Sequence, residues 1–133
     1  MPVALADRVD HLVLTVADIE RSAAFYERAL GLQREVFEGP DGRARHALRF
    51  GTQKINLQDG STVTPTKAAR PTAGSGDFCL VAAVPLAEVR AHLKREAIAL
   101  EAGPVARQGA LGPITSLYFR DPAGNCLELA TPD

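Results

Sequence analysis

The chain has 133 residues, a formal net charge of -1, and 46% hydrophobic against 23% charged residues. That size suits one domain, or two small halves sharing a core, and the balance is that of a globular protein. So small a charge gives no basic field for nucleic acid or an anionic membrane, and no apolar run nears the roughly 20 residues that span a bilayer.

The segment from Met1 to Arg8 has neither the basic region nor the apolar stretch of a secretory signal. Cys79 and Cys126 form no disulfide framework and no zinc-ligand spacing. The expected compartment is a reducing cytoplasm.

Val9 to Val16, VDHLVLTV, is short, apolar and β-branched, and reads as a strand. Asp18 then offers an N-cap to IERSAAFYERAL, whose Ile19, Ala23, Tyr26 and Leu30 recur at helical spacing, and Gly31 supplies the stop. Three strands follow at Gln33 to Phe37, Ala44 to Phe50 and Lys54 to Gln58, parted by Gly39-Pro40-Asp41-Gly42 and Gly51-Thr52. Residues 60–76, GSTVTPTKAARPTAGSG, have neither period and read as a linker.

The order then repeats. Phe78 to Val84 reads as a strand, and Pro85 suits the first position of a helix running to about Glu96. Ile98 to Glu101 reads as a short strand, followed by a Gly/Pro-rich loop from Gly103 to Pro113. Thr115 to Phe119, the turn Asp121 to Asn125, and Cys126 to Ala130 complete the chain. By residue type HLVLTV (11–16) matches CLVAAV (79–84), ALRF (47–50) matches SLYF (116–119), and INL (55–57) matches LEL (127–129). The expectation is an α+β fold: one domain over 1–133, with module one at 9–59, the linker at 60–76 and module two at 77–131. Each module is βαβββ, and the curled mixed sheets surround a cleft.

Within GNCLEL (124–129), Glu128 stands between two leucines, where a carboxylate is costly unless it is paired. The repeat gives it company. His11 opens the first strand of module one with Cys79 as its apparent counterpart, and Asn56 is the counterpart of Glu128. Alternation puts Gln58 and Cys126 on the faces of Asn56 and Glu128. An imidazole and a carboxylate in one cavity suit Fe²⁺, Mn²⁺, Zn²⁺ or Ni²⁺, with Gln58, Asn56 or Cys79 as the third ligand. Of the other residues, His46 shares a face with Leu48 and Phe50 and reads as a cavity-rim residue. Ser116 and Tyr118 lie beside Glu128 as substrate contacts. His92 reads as solvated, and Asp121 and Asn125 as turn residues.

The stretches DHLVLTVADIERSAAFYERALGL (10–32), HALRFGTQKINL (46–57) and EAGPVARQGALGPITSLYFRDPAGNCLEL (101–129), set in paired modules, carry a resemblance. The chain resembles the vicinal oxygen chelate superfamily of glyoxalase I, bleomycin-resistance proteins, fosfomycin-resistance proteins and extradiol dioxygenases. Within it the chain is most similar to small glyoxalase domain-containing protein 5-like and virulence-associated glyoxalase-like proteins. The resemblance implies His11 and Glu128 as metal ligands, with Gln58 as the third, and Glu128 as the catalytic group. Tyr118, Ser116, His46 and Asn56 would contact a small vicinal-oxygen substrate. It implies a homodimer in which His11 and Glu128 come from different chains. The activity implied is that of a lyase, isomerase or dioxygenase. Asn56 stands where glyoxalase I has a carboxylate, and Cys79 stands where extradiol dioxygenases and fosfomycin enzymes have a second histidine. Those departures keep open a metal-free binding protein of the bleomycin-resistance kind, and a structural dimer with a plugged cavity.

Overall fold

The computed structural model describes residues 3–133. Module one runs β1 (His11–Thr15), α1 (Ile19–Leu30), β2 (Gln33–Glu38), β3 (Ala44–Phe50) and β4 (Gln53–Gln58). Module two runs β5 (Asp77–Val81), α2 (Leu86–Arg95), β6 (Ala102–Gly109), β7 (Gly112–Arg120) and β8 (Cys126–Pro132). The sheets have orders β1-β4-β3-β2 and β5-β8-β7-β6, so the expected βαβββ order holds in both halves. In each, the first strand is parallel to the last and the other pairs are antiparallel.

The local signals act as read for α1. Asp18 Oδ1 accepts from the Arg21 N–H at 3.0 Å, and Gly31 ends the helix at φ 68, a left-handed conformation that glycine adopts at little cost. Pro85 falls at the cap of α2, one residue before the helix, and supplies no side-chain hydrogen bond. Residues 60–76 contain no helix or strand.

One segment differs. The short strand expected at Ile98 to Glu101 is absent, and the stretch assigned to a Gly/Pro-rich loop forms β6 and the start of β7. β6 is an edge strand paired only with β7, and its register shifts between Ala102 and Val105. Pro104 sits in that irregularity, where no ladder hydrogen bond is asked of it, and Gly103 takes φ 107 beside it.

A single apolar cluster draws on both modules, with Tyr26, Leu48, Ile55, Leu93, Leu117, Phe119 and Leu127 essentially inaccessible. The Phe25 ring of α1 packs at a tilt against that of Phe119 of β7, centroids 6.3 Å apart, so α1 serves the core of both halves. His92, read as solvated, instead places Nε2 2.8 Å from the Arg28 carbonyl and joins the two helices. No helix among the described residues is long and apolar enough to cross a membrane.

Candidate functional site

Each sheet buries one face and leaves the other open. In module one Leu12, Leu14, Ile55, Leu57 and Leu48 belong to the core, while His11, Val13, Thr15, Lys54, Asn56 and Gln58 alternate onto the open face. In module two Phe78, Leu80, Leu127 and Leu129 are the core side, and Asp77, Cys79, Val81, Glu128, Ser116 and Tyr118 share the open side. Glu128 is therefore half-buried at the middle of an open face, with its flanking leucines directed into the core.

The ladder revises the equivalence of the modules. Val13 pairs with Asn56, whereas Cys79 pairs with Glu128. Asn56 and Glu128 are equivalent, as read, so Val13 corresponds to Cys79 and His11 corresponds to Asp77. Likewise Ala47 lies opposite Asn56 and Tyr118 opposite Glu128, so residues 47–50 correspond to 118–121 rather than to SLYF at 116–119. A slip of two preserves the face of every side chain, which is why alternation did not expose it. Asp77 is the residue the sequence reading missed; the glycine before it, Gly76, marks the true strand start, and Cys126 N–H donates to the Gly76 carbonyl at 2.9 Å.

His11 is exposed, and its Nδ1 lies 2.9 Å from Asp10 Oδ2, which orients the ring and leaves Nε2 without a partner among the described residues. The same contact holds the Asp10 carboxyl below its usual range. Gln58 does not join His11. It pairs with Thr15 while His11 pairs with Lys54, leaving about 13 Å of strand between them. Its amide Nε2 instead donates to Thr15 Oγ1 at 3.0 Å. The placement of Gln58 as a third ligand to the same ion is thereby corrected, since metal–ligand bonds near 2.1 Å cannot span that gap.

His46 is corrected as well. It does share a face with Leu48, but that face is the core side, where it pairs with Leu57 and its Nδ1 is buried without a partner. Glu128 Oε2 accepts from Ser116 Oγ at 2.6 Å. Tyr118 hydroxyl accepts from Arg107 Nε at 3.0 Å on the same open face. Partial burial, reinforced by the negative charge of Glu128, pushes the Cys79 thiol up to about 11, so without a metal it is protonated at neutral pH.

His11 and Glu128 lie on separate sheets. The two strands that carry them approach where Asn125 Nδ2 donates to the Thr15 carbonyl at 3.4 Å, at the far end of β1 from His11. Among the described residues, no three or more His, Cys, Asp or Glu side chains gather to hold a metal ion. What the chain offers is two half-sites: His11 with Asn56, and Asp77 with Glu128.

Asp121 and Asn125 do more than shape their turn. Asp121, 4% exposed, accepts from Tyr26 hydroxyl at 2.8 Å with Oδ2 and from the Ala123 and Asn125 N–H groups with Oδ1. Asn125 Oδ1 accepts from the Gly76 N–H at 2.8 Å. Burial, reinforced by the Asp121 charge, raises the Tyr26 phenol well above its ordinary value, so it remains a donor throughout.

A family model described as the Glyoxalase/Bleomycin resistance protein/Dioxygenase superfamily matches residues 8–129. Virulence protein STM3117 of Salmonella typhimurium is 44% identical over 126 residues, covering 95% of this chain and 85% of that protein. Glyoxalase domain-containing protein RDO1 of Mycosarcoma maydis is 42% identical over 123 residues, covering 92% and 67%. A solved structure from the mobile metagenome of V. Pseudocholerae superposes with a TM-score of 0.91 at 40% identity, covering 98% of each chain.

Proposed function

Because the chain belongs to the glyoxalase/bleomycin resistance protein/dioxygenase superfamily, we propose that it is a divalent-metal-dependent enzyme working as a homodimer. Its substrate would be a small molecule with two adjacent oxygens, and its reaction that of a lyase, isomerase or dioxygenase. The observation that carries this reading is the matched pair of open faces. One offers an imidazole oriented by a carboxylate, and the other offers two carboxylates at the equivalent register. That donor set fits a divalent first-row ion.

His11, Asp77 and Glu128 would hold the ion, whose chemistry when bound is Lewis-acid polarisation of the substrate oxygens. Ser116 hydroxyl engages one oxygen of Glu128, leaving the other for ligation or for a proton. Proton transfer in this reading falls to Glu128, since its counterpart Asn56 is an amide. Tyr118 and Asn56 supply hydrogen bonds to the substrate. Apolar Val13 and Val81, 51% and 73% exposed on the two open faces, support a second copy as the cover. An isologous pairing that sets module one of one copy on module two of its partner would unite the half-sites.

Calorimetric titration of Mn²⁺ or Zn²⁺ into chelator-stripped protein should give about one ion per chain. His11→Ala and Glu128→Gln should each weaken binding roughly tenfold or more. Refolding the two variants together should restore about a quarter of the sites, since half of the dimers then hold one intact pair. Wild-type protein without saturable metal binding would refute the metal; mixing without recovery would refute the cross-chain site.

A further inference from the structure

On the open face of module one, around Asn56 and away from His11, the linker makes a second concave place. Residues 60–76 turn back over part of the open face of module one and bound a half-open cavity of 310 Å³ against it. Asp59 begins the turn by accepting from Ser61 N–H at 2.9 Å and Ser61 hydroxyl at 2.6 Å. The Arg45 side chain, 13% exposed on β3, donates to the Val63 carbonyl and ties the linker down. Lys67 Nζ donates to the Thr62 carbonyl at 3.3 Å.

Three cations line this cavity, Arg45, Lys67 and Arg70, and no carboxylate does. Arg45 is paired with Asp41 at 3.2 Å, outside the lining. Among the described residues neither Lys67 nor Arg70 has a carboxylate within ion-pair distance. Cations gathered on a concave wall with no opposing charge focus a positive potential into it. The floor supplies an independent observation. Asn56 lines the cavity, and its Oδ1 is buried without any hydrogen-bond donor. A buried acceptor left in that state is costly, and a donor arriving with a ligand removes the cost.

We propose that this cavity binds a small hydroxylated anion, with Arg45, Lys67 and Arg70 receiving the anionic group and Asn56 Oδ1 receiving the hydroxyl. Its volume lies near the lower bound of small-molecule sites, so the ligand is compact. Phosphate esters and hydroxycarboxylates share the required chemistry. The cavity contains none of His11, Asp77 and Glu128 and shares Asn56 with the substrate contacts of the proposed function, so anion binding here does not depend on the metal.

The test uses the full chain with chelator present, so a failure of metal binding cannot affect it. Glycerol 3-phosphate, glycerate, inorganic phosphate and uncharged glycerol are titrated by calorimetry at two salt concentrations. At least one hydroxylated anion should bind saturably and more weakly at high salt, with glycerol silent; the tighter of the two identifies the anionic group. Lys67→Ala with Arg70→Ala, both on exposed linker positions, should weaken binding roughly tenfold or more, while Lys94→Ala on α2 should not change it. Asn56→Ala should erase the preference for glycerol 3-phosphate over inorganic phosphate. No saturable binding of either hydroxylated anion up to about 20 mM, or binding indifferent to the Lys67/Arg70 pair, would overturn the proposal.

Discussion

Module one joins β3 to β4 through Gly51 and Thr52, both exposed and making no side-chain hydrogen bond. Module two joins β7 to β8 through Asp121 to Asn125, and two of those five residues have side chains buried in contacts with the other module. The open faces differ in the same spirit. That of module one is roofed by a cationic linker, and that of module two presents Glu128 held by Ser116. Duplication has preserved strand order and helix placement, while the connections carry the divergence: one loop became a clamp and another a lid. Scaffold strands must satisfy a ladder and a core at once, whereas loops answer to neither constraint.

The largest effect should come from setting the two hairpins against each other. Asp121→Ala strands Tyr26 hydroxyl and two backbone N–H groups in the core and should cost about 3 kcal/mol in urea unfolding. Thr52→Ala in the corresponding turn should stay within about 0.5 kcal/mol. Equal costs would mean that the longer turn is no clamp. The revised equivalence of the strands comes next. Asp77→Ala should weaken divalent-metal binding roughly tenfold or more, and Cys79→Ala should leave it within about twofold. The opposite ranking would restore the two-residue slip.

A smaller effect is expected at the hydroxyl that module one lacks. Ser116→Ala frees Glu128 Oε2 and should weaken metal binding about fivefold, read by the same calorimetry; an unchanged affinity would mean that the hydroxyl does not position the carboxylate. The smallest concerns the lid. Hydrogen bonds from Ser61 hold the Asp59 carboxyl below its ordinary 3.8. Its contribution is therefore present above that pH and is lost as acid protonates the folded form. Proteolysis of the linker should quicken below about pH 3.8, and Asp59→Asn should abolish that step.

Residue chemistry by itself determined much of this protein. Helical spacing from Ile19 to Leu30, with Asp18 before and Gly31 after, defined α1 to the residue. Alternation put Asn56 and Glu128 on matching faces, and the element order made the modules visible. Only the tertiary structure decided the register of β1 and β5. A period of two reports which face a side chain takes and is blind to a slip of two, so Asp77 surfaced only when the hydrogen-bond ladder aligned the halves. The same holds for β6, whose Gly103-Pro104 reads as a loop until the edge of a sheet accommodates it. His46 shows the limit most plainly: its face followed from the sequence, but which face the helix covers is settled by packing, through contacts between residues far apart in the chain.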